Sequence, residues 1–156
     1  MLVRLVAAGT RLPAWVDAGY REYAARMGPA IRLELAEIPL GRRGRNADVA
    51  RARDEEGRRM LGALGERDYV TALDVGGRSM STAALAKWLA ARMQDGRDLS
   101  LLVGGPDGLA PGCRERADAS WSLSPLTFPH GLVRVMVAEQ LYRAQSLLQG
   151  HPYHRA

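Results

Sequence analysis

Two hydrophobic rhythms alternate along this chain. Residues 2–8 form a short, almost unbroken apolar run closed by Gly9, the pattern of a strand buried on both faces. Residues 14–27 carry Trp15, Ala18, Tyr23 and Met27 at helical spacing and stop at Gly28-Pro29. Ile31, Leu33 and Leu35 then alternate with Arg32 and Glu34, the period of two of a half-buried strand. Pro39 to Asn46 reads as a loop rich in Gly and Arg, with Asn46 the expected N-cap of a helix reaching about Leu64 and Asp48 well placed near its N-terminus. Tyr69 to Leu73 is a third strand. After Gly76-Gly77, Ser81 or Thr82 caps a helix through Leu85, Leu89 and Met93 that Asp95-Gly96 ends. Leu99 to Val103 is apolar enough for a central strand. A short helix near 110–119, a strand around Ser120 to Leu123, a last helix over 130–149 and a tail from His151 to Ala156 complete the pattern. Strands this far apart cannot pair as hairpins, so the chain is expected to build a parallel sheet flanked by helices, an α/β fold.

Length and composition keep this reading and narrow the function. A chain of 156 residues suits one domain, 1–156, and 47% hydrophobic with 25% charged residues suits a packed core. Cys113, the sole cysteine, excludes an internal disulfide and a Cys-rich zinc site, and fits a reducing cytoplasm. No apolar stretch approaches the roughly 20 residues of a membrane span. The opening segment is too short and too early charged for a signal peptide. The expectation is a cytoplasmic protein without membrane or metal.

Charge adds a partner class. Of the formal +5, residues 42–59 carry +3, from seven arginines against four acids; residues 130–156 carry +2, from Arg134, Arg143 and Arg155 against Glu139. The rest of the chain is neutral. Localised basic excess suits a surface that displaces counterions from phosphates, so a nucleic acid is the expected partner class, with Arg42, Arg43, Arg45, Arg134 and Arg143 as candidate contacts. The competing reading is a solvated helix face over 46–64, and Glu139 with Arg143 at i, i+4 could simply pair.

Ligands of parallel α/β sheets sit beyond the carboxyl ends of strands. Three turns qualify: Leu73-Asp74-Val75-Gly76-Gly77, Val103-Gly104-Gly105-Pro106-Asp107-Gly108, and Leu123-Ser124-Pro125-Leu126-Thr127-Phe128-Pro129-His130. Their glycines let backbone and ligand approach closely, though tight turns need glycine too. The glycine spacing is not that of a dinucleotide fingerprint, and no phosphate-binding G-x-x-x-x-G-K-[ST] or G-x-S-x-G elbow occurs. His130, His151 and His154 lack the i, i+4 spacing of a helical metal pair. The last helix is apolar on most sides, from Val133 through Met136, Val137 and Leu141 to Ala144, which suggests cover by a second subunit with Leu141 and Met136 in contact.

Leu5-Val6-Ala7-Ala8-Gly9-Thr10, Leu101-Leu102-Val103-Gly104-Gly105-Pro106-Asp107-Gly108-Leu109, Trp121-Ser122-Leu123-Ser124 with Thr127-Phe128-Pro129-His130, and the terminal His151-Pro152-Tyr153-His154-Arg155 together resemble the RlmH (YbeA-like) family of SPOUT-class RNA methyltransferases. The likeness runs in order through the whole chain. It implies a C-terminal trefoil knot, a homodimer and S-adenosylmethionine as cofactor. It further implies methylation of N3 of a pseudouridine in the helix 69 stem-loop of 23S rRNA, on the assembled ribosome. By position, Leu73, Gly104 and Leu123, Ser124, Pro125, Leu126, Thr127 and Phe128 would bind the cofactor. Tyr153, His154 and Arg155 match the tail that reaches the substrate. The rival classes are a non-catalytic RNA-binding module of ribosome assembly, which would not need three converging turns, and a small-molecule enzyme, which would not need localised positive charge.

Overall fold

The computed structural model describes residues 1–45 and 48–155, and of His154 the backbone only. Its core is a five-stranded sheet in the order β2-β1-β4-β3-β5, every neighbouring pair parallel. The strands are β1 (Leu2–Ala8), β2 (Arg32–Ile38), β3 (Tyr69–Ser79), β4 (Leu99–Val103) and β5 (Ala119–Ser122). The helices are α1 (Ala14–Ala24), α2 (Val49–Gly62), α3 (Thr82–Asp95), α4 (Pro111–Arg116) and α5 (His130–Leu148), followed by a 3₁₀ turn, Pro152–His154.

Alternation along the strands sorts the core into two layers. Val3, Leu5 and Ala7 of β1 and Leu99, Leu101 and Val103 of β4 face Tyr20, Leu85, Leu89, Val137 and Leu141 of α1, α3 and α5. Val6, Val70, Ala72 and Leu102 face Met60 of α2 and Cys113 of α4. Every residue of β4 is buried, including Ser100, whose hydroxyl donates to Asp68 Oδ2 at 2.6 Å.

Four expectations change. In α1 the buried residues are Val16 and Tyr20, while Trp15 is 59% exposed; Trp15 lies one position off the inward face, and its ring suggested the wrong helical phase. β2 continues to Ile38 because β1 pairs with it throughout, from Leu2 opposite Arg32 to Ala8 opposite Ile38. The segment expected to turn after Leu73 instead bulges within β3: Leu73 and Arg78 both pair with Trp121, and residues 74–77 loop out between them. Finally, Leu141 is fully buried against the chain's own sheet and helices and is not open to a second subunit, whereas Met136 on the same helix is half-buried. A substitution at Leu141 would therefore change core packing and stability whatever it did to association. The expected N-cap Asn46 lies outside the described residues; Asp48 caps α2, its carboxylate accepting from Arg51 N–H at 3.3 Å.

Candidate active site

The carboxyl ends of β3, β4 and β5 enclose a cavity of about 500 Å³, within the range of small-molecule sites. Leu73, Asp74 and Val75 line one side, Val103 to Pro106 with Gly108 and Leu109 the second, and Trp121, Leu123, Ser124 and Leu126 to Phe128 the third. His130 and Val133 of α5 and Arg114 of α4 complete it. Of the residues expected at a cofactor, Leu73, Gly104, Leu123, Ser124, Leu126, Thr127 and Phe128 all line this cavity; Pro125 is exposed on the same loop outside the lining.

Two of the walls are held by hydrogen bonds within their own loops. Gly105 and Gly108 form an isolated bridge, with Gly108 N–H donating to Gly105 O at 3.1 Å and Gly108 at φ +78°. A Cβ on Gly104 would lie 2.6 Å from the Gly108 carbonyl carbon, so this glycine is needed first for the loop to fold back on itself. In the third wall, Ser122 Oγ donates to Ser124 O and Leu126 N–H donates to Ser124 Oγ, both at 3.0 Å. Leu126 and Val75, 67% and 51% exposed, leave apolar surface open around the cavity.

Behind the glycine loop stands a buried carboxylate. Glu56 is 2% exposed, accepts from Gly41 N–H at 3.0 Å and is ion-paired with Arg43, whose Nε donates to Asp107 at 2.8 Å. Arg43 thus ties the 39–45 loop and α2 to the cavity wall. At the start of α5, burial and then the Arg134 charge push the His130 imidazole below its usual range.

The tail lies elsewhere on α5. Tyr153 packs on Tyr142 with ring centroids 4.6 Å apart, and its hydroxyl donates to Glu139 Oε1 at 3.1 Å. Arg143 donates to the same oxygen through Nε and Nη2, at 2.9 and 2.6 Å. At 1.5 Å of rise per residue, Glu139 is about 9 Å along the helix from Val133, and Tyr142 about 14 Å. One chain therefore does not bring Tyr153 to its own cavity. Arg155 is exposed, and the His154 side chain lies outside the described residues.

The five arginines expected to contact RNA separate into two groups. Arg42 and Arg45 are exposed. Arg43 and Arg143 are ion-paired, and Arg134 is only 2% exposed, donating to Ala8 O and Gly9 O at 3.2 and 2.6 Å and pairing with Glu37. Arg134 pins the end of β1 to α5 rather than presenting a cation to phosphate. No metal-binding group of His, Cys, Asp or Glu occurs among the described residues, and none of their helices is long and apolar enough to cross a membrane.

Sequence reasoning missed Asp74, Arg114 and His130 as lining residues. Asp74 and His130 stood in the turns it singled out; Arg114 reaches the cavity only because α4 packs beneath β3, which no local pattern encodes.

Residues 1–154 match the model of a family described as "Predicted SPOUT methyltransferase". The chain is 66% identical over 156 residues, all of both chains, to a protein of Alkalilimnicola ehrlichii named ribosomal RNA large subunit methyltransferase H. It is 59% identical over 155 residues, 99% of each chain, to a protein of the same name from Thioalkalivibrio sulfidiphilus. Among solved structures, a probable methylase family protein from Haemophilus influenzae Rd KW20 superposes with a TM-score of 0.58 at 9% identity, over 97% of this chain and 69% of that one, a likeness of fold.

Proposed function

This chain belongs to the SPOUT methyltransferase family, and from that premise we propose that it methylates N3 of a pseudouridine in the helix 69 stem-loop of 23S ribosomal RNA. In this reading the donor is S-adenosylmethionine, the substrate is the assembled ribosome in the cytoplasm, and the working unit is a homodimer. The passage from β5 through residues 123–129 into α5 would form a trefoil knot. The ribosomal RNA names of relatives identical over 59% and 66% of aligned positions support the substrate class.

The observation that carries the reading is the cavity beyond β3, β4 and β5. Its walls fit the proposed cofactor: Leu73, Val75, Leu126 and Phe128 supply apolar surface for a flat base, and Asp74 and Arg114 supply one charge of each sign for a zwitterion. S-adenosylmethionine brings a methyl group already activated by its sulfonium, so the protein's task is chiefly to hold the acceptor in line.

The acceptor nitrogen must lose its proton, which calls for a base or an environment that favours the anion. His154 is assigned that proton, Tyr153 a stacking contact with an unpaired base, and Arg155 a phosphate. The distance along α5 between the docked tail and the cavity supports a site shared between chains: one protomer's tail serves its partner's cavity.

Deleting residues 153–156 tests this. Calorimetric titration with S-adenosylmethionine should match wild type, while methyl transfer to ribosomes collapses. Mixing the truncated chain with a Gly104→Ala chain should restore part of the activity. Full activity in the truncated enzyme refutes the tail's role, and absent rescue refutes the sharing.

A further inference from the structure

Among the described residues lining the cavity, Asp74 and Arg114 are the two that carry a formal charge, since burial keeps His130 toward its neutral form. They approach each other from different elements. Asp74 stands on the β3 bulge, where Gly76 N–H donates to its Oδ1 at 3.3 Å, and its Oδ2 is ion-paired with Arg114 Nη1. Arg114 comes from α4. Two ion pairs of this protein, Arg43–Glu56 and Arg134–Glu37, keep one partner almost out of water, at 2% exposure each. The Asp74–Arg114 pair is different: its side chains are 25% and 49% exposed. Such a solvated pair contributes next to nothing to folding and opens at little cost.

We propose that Asp74 and Arg114 form the subsite for the amino-acid end of the methyl donor. The inference rests on the cofactor reading above and adds a residue-level basis for specificity. The ligand's α-carboxylate accepts from the Arg114 guanidinium, and its α-ammonium donates to Asp74. The internal ion pair opens into two charge-assisted contacts, each sign matched. Neither the glycine loop nor the 123–128 loop offers a charged side chain facing the cavity that could serve this end of the ligand. Their backbone and apolar groups suit the nucleoside instead.

Two probes separate this role from simple pocket shaping. S-adenosylhomocysteine carries the amino-acid end, whereas 5′-methylthioadenosine keeps the base, ribose and thioether without it. Both are titrated calorimetrically into the wild-type chain, Arg114→Gln, Asp74→Asn and Arg114→Lys. Arg114→Gln and Asp74→Asn should each weaken S-adenosylhomocysteine by roughly tenfold to a hundredfold, the worth of a charged hydrogen bond, and leave 5′-methylthioadenosine within about twofold of wild type. Arg114→Lys should recover most of the lost affinity, because a carboxylate needs the cation more than the fork. Thermal midpoints should stay near wild type. Equal losses for both ligands would overturn the proposal in favour of a ribose contact or a wall, and no loss for either would place the pair outside the bound ligand. Wild-type protein that binds neither ligand would bring down the cofactor reading itself and this subsite with it.

Discussion

Replacing Arg43 by Met isolates what a buried carboxylate does for the cavity wall. In the native chain Glu56 is 2% exposed and accepts from Arg43 and from Gly41 N–H, while Arg43 Nε holds Asp107 and its Nη1 donates to Gly41 O at 3.2 Å. Met fills the stem but leaves Glu56 with a single backbone donor. Breaking a buried pair from one side costs about 3–5 kcal/mol, because an uncompensated charge stays behind. Arg43 is itself 22% exposed, so water relieves part of this and about 3 kcal/mol is the expected loss. For a domain near 150 residues each kcal/mol moves the midpoint by about 2–4 °C, giving a drop of about 6–12 °C by calorimetry. The Arg43→Met/Glu56→Leu double variant removes both charges and should be more stable than Arg43→Met alone, since the orphaned carboxylate is gone. If the two changes instead add within about 0.5 kcal/mol, the pair is not coupled and the strut does not exist.

Three other outcomes follow from the same geometry. Gly104→Ala should lower both the stability, by about 1–3 kcal/mol of overpacking, and the affinity for S-adenosylhomocysteine; weakened binding at an unchanged thermal midpoint would mean that this glycine serves the ligand and not the loop. Replacing Arg42 and Arg45 together by Ala should flatten the salt dependence of ribosome binding, with the slope of log affinity falling by roughly 0.7 to 0.9 for each lost phosphate contact; an unaltered slope makes both residues a solvated face. His130, held below its usual range by burial and by Arg134, takes up fewer protons in the folded chain than in the unfolded chain below about pH 6.5. Stability should therefore fall as the pH drops from 7 toward 5, and His130→Asn should flatten that decline in melts across the range; parallel curves would contradict it.

What the chain disclosed depended on how local the cause was. The run in β4 and the alternation over residues 31–35 reflect burial on two faces or one, and neighbours in sequence suffice to display it. The cavity was legible because glycines and short loops follow β4 and β5. The bulge over 74–77 was not: Gly77 sits there because a Cβ would meet Ser120 Oγ at 2.5 Å, in a strand more than forty residues later. Arginines were the hardest to interpret. Arg42, Arg43 and Arg45 look alike in sequence, yet Glu56 and Asp107 claim only the middle one. Arg134 belongs to carbonyls at the end of β1, about 125 positions away.

Strand order also governs how the molecule can be made. β4 lies between β1 and β3, so a ribosome must deliver Val103 before the sheet can grow beyond the β1–β2 pair. A lone pair of strands is at best marginally stable. At roughly 5–20 residues per second, the nascent chain spends about 5–20 s with Val3, Leu5 and Val6 lacking their partner strand. All of α2 and β3 is synthesised within that interval, before the central strand arrives to join them to the first pair.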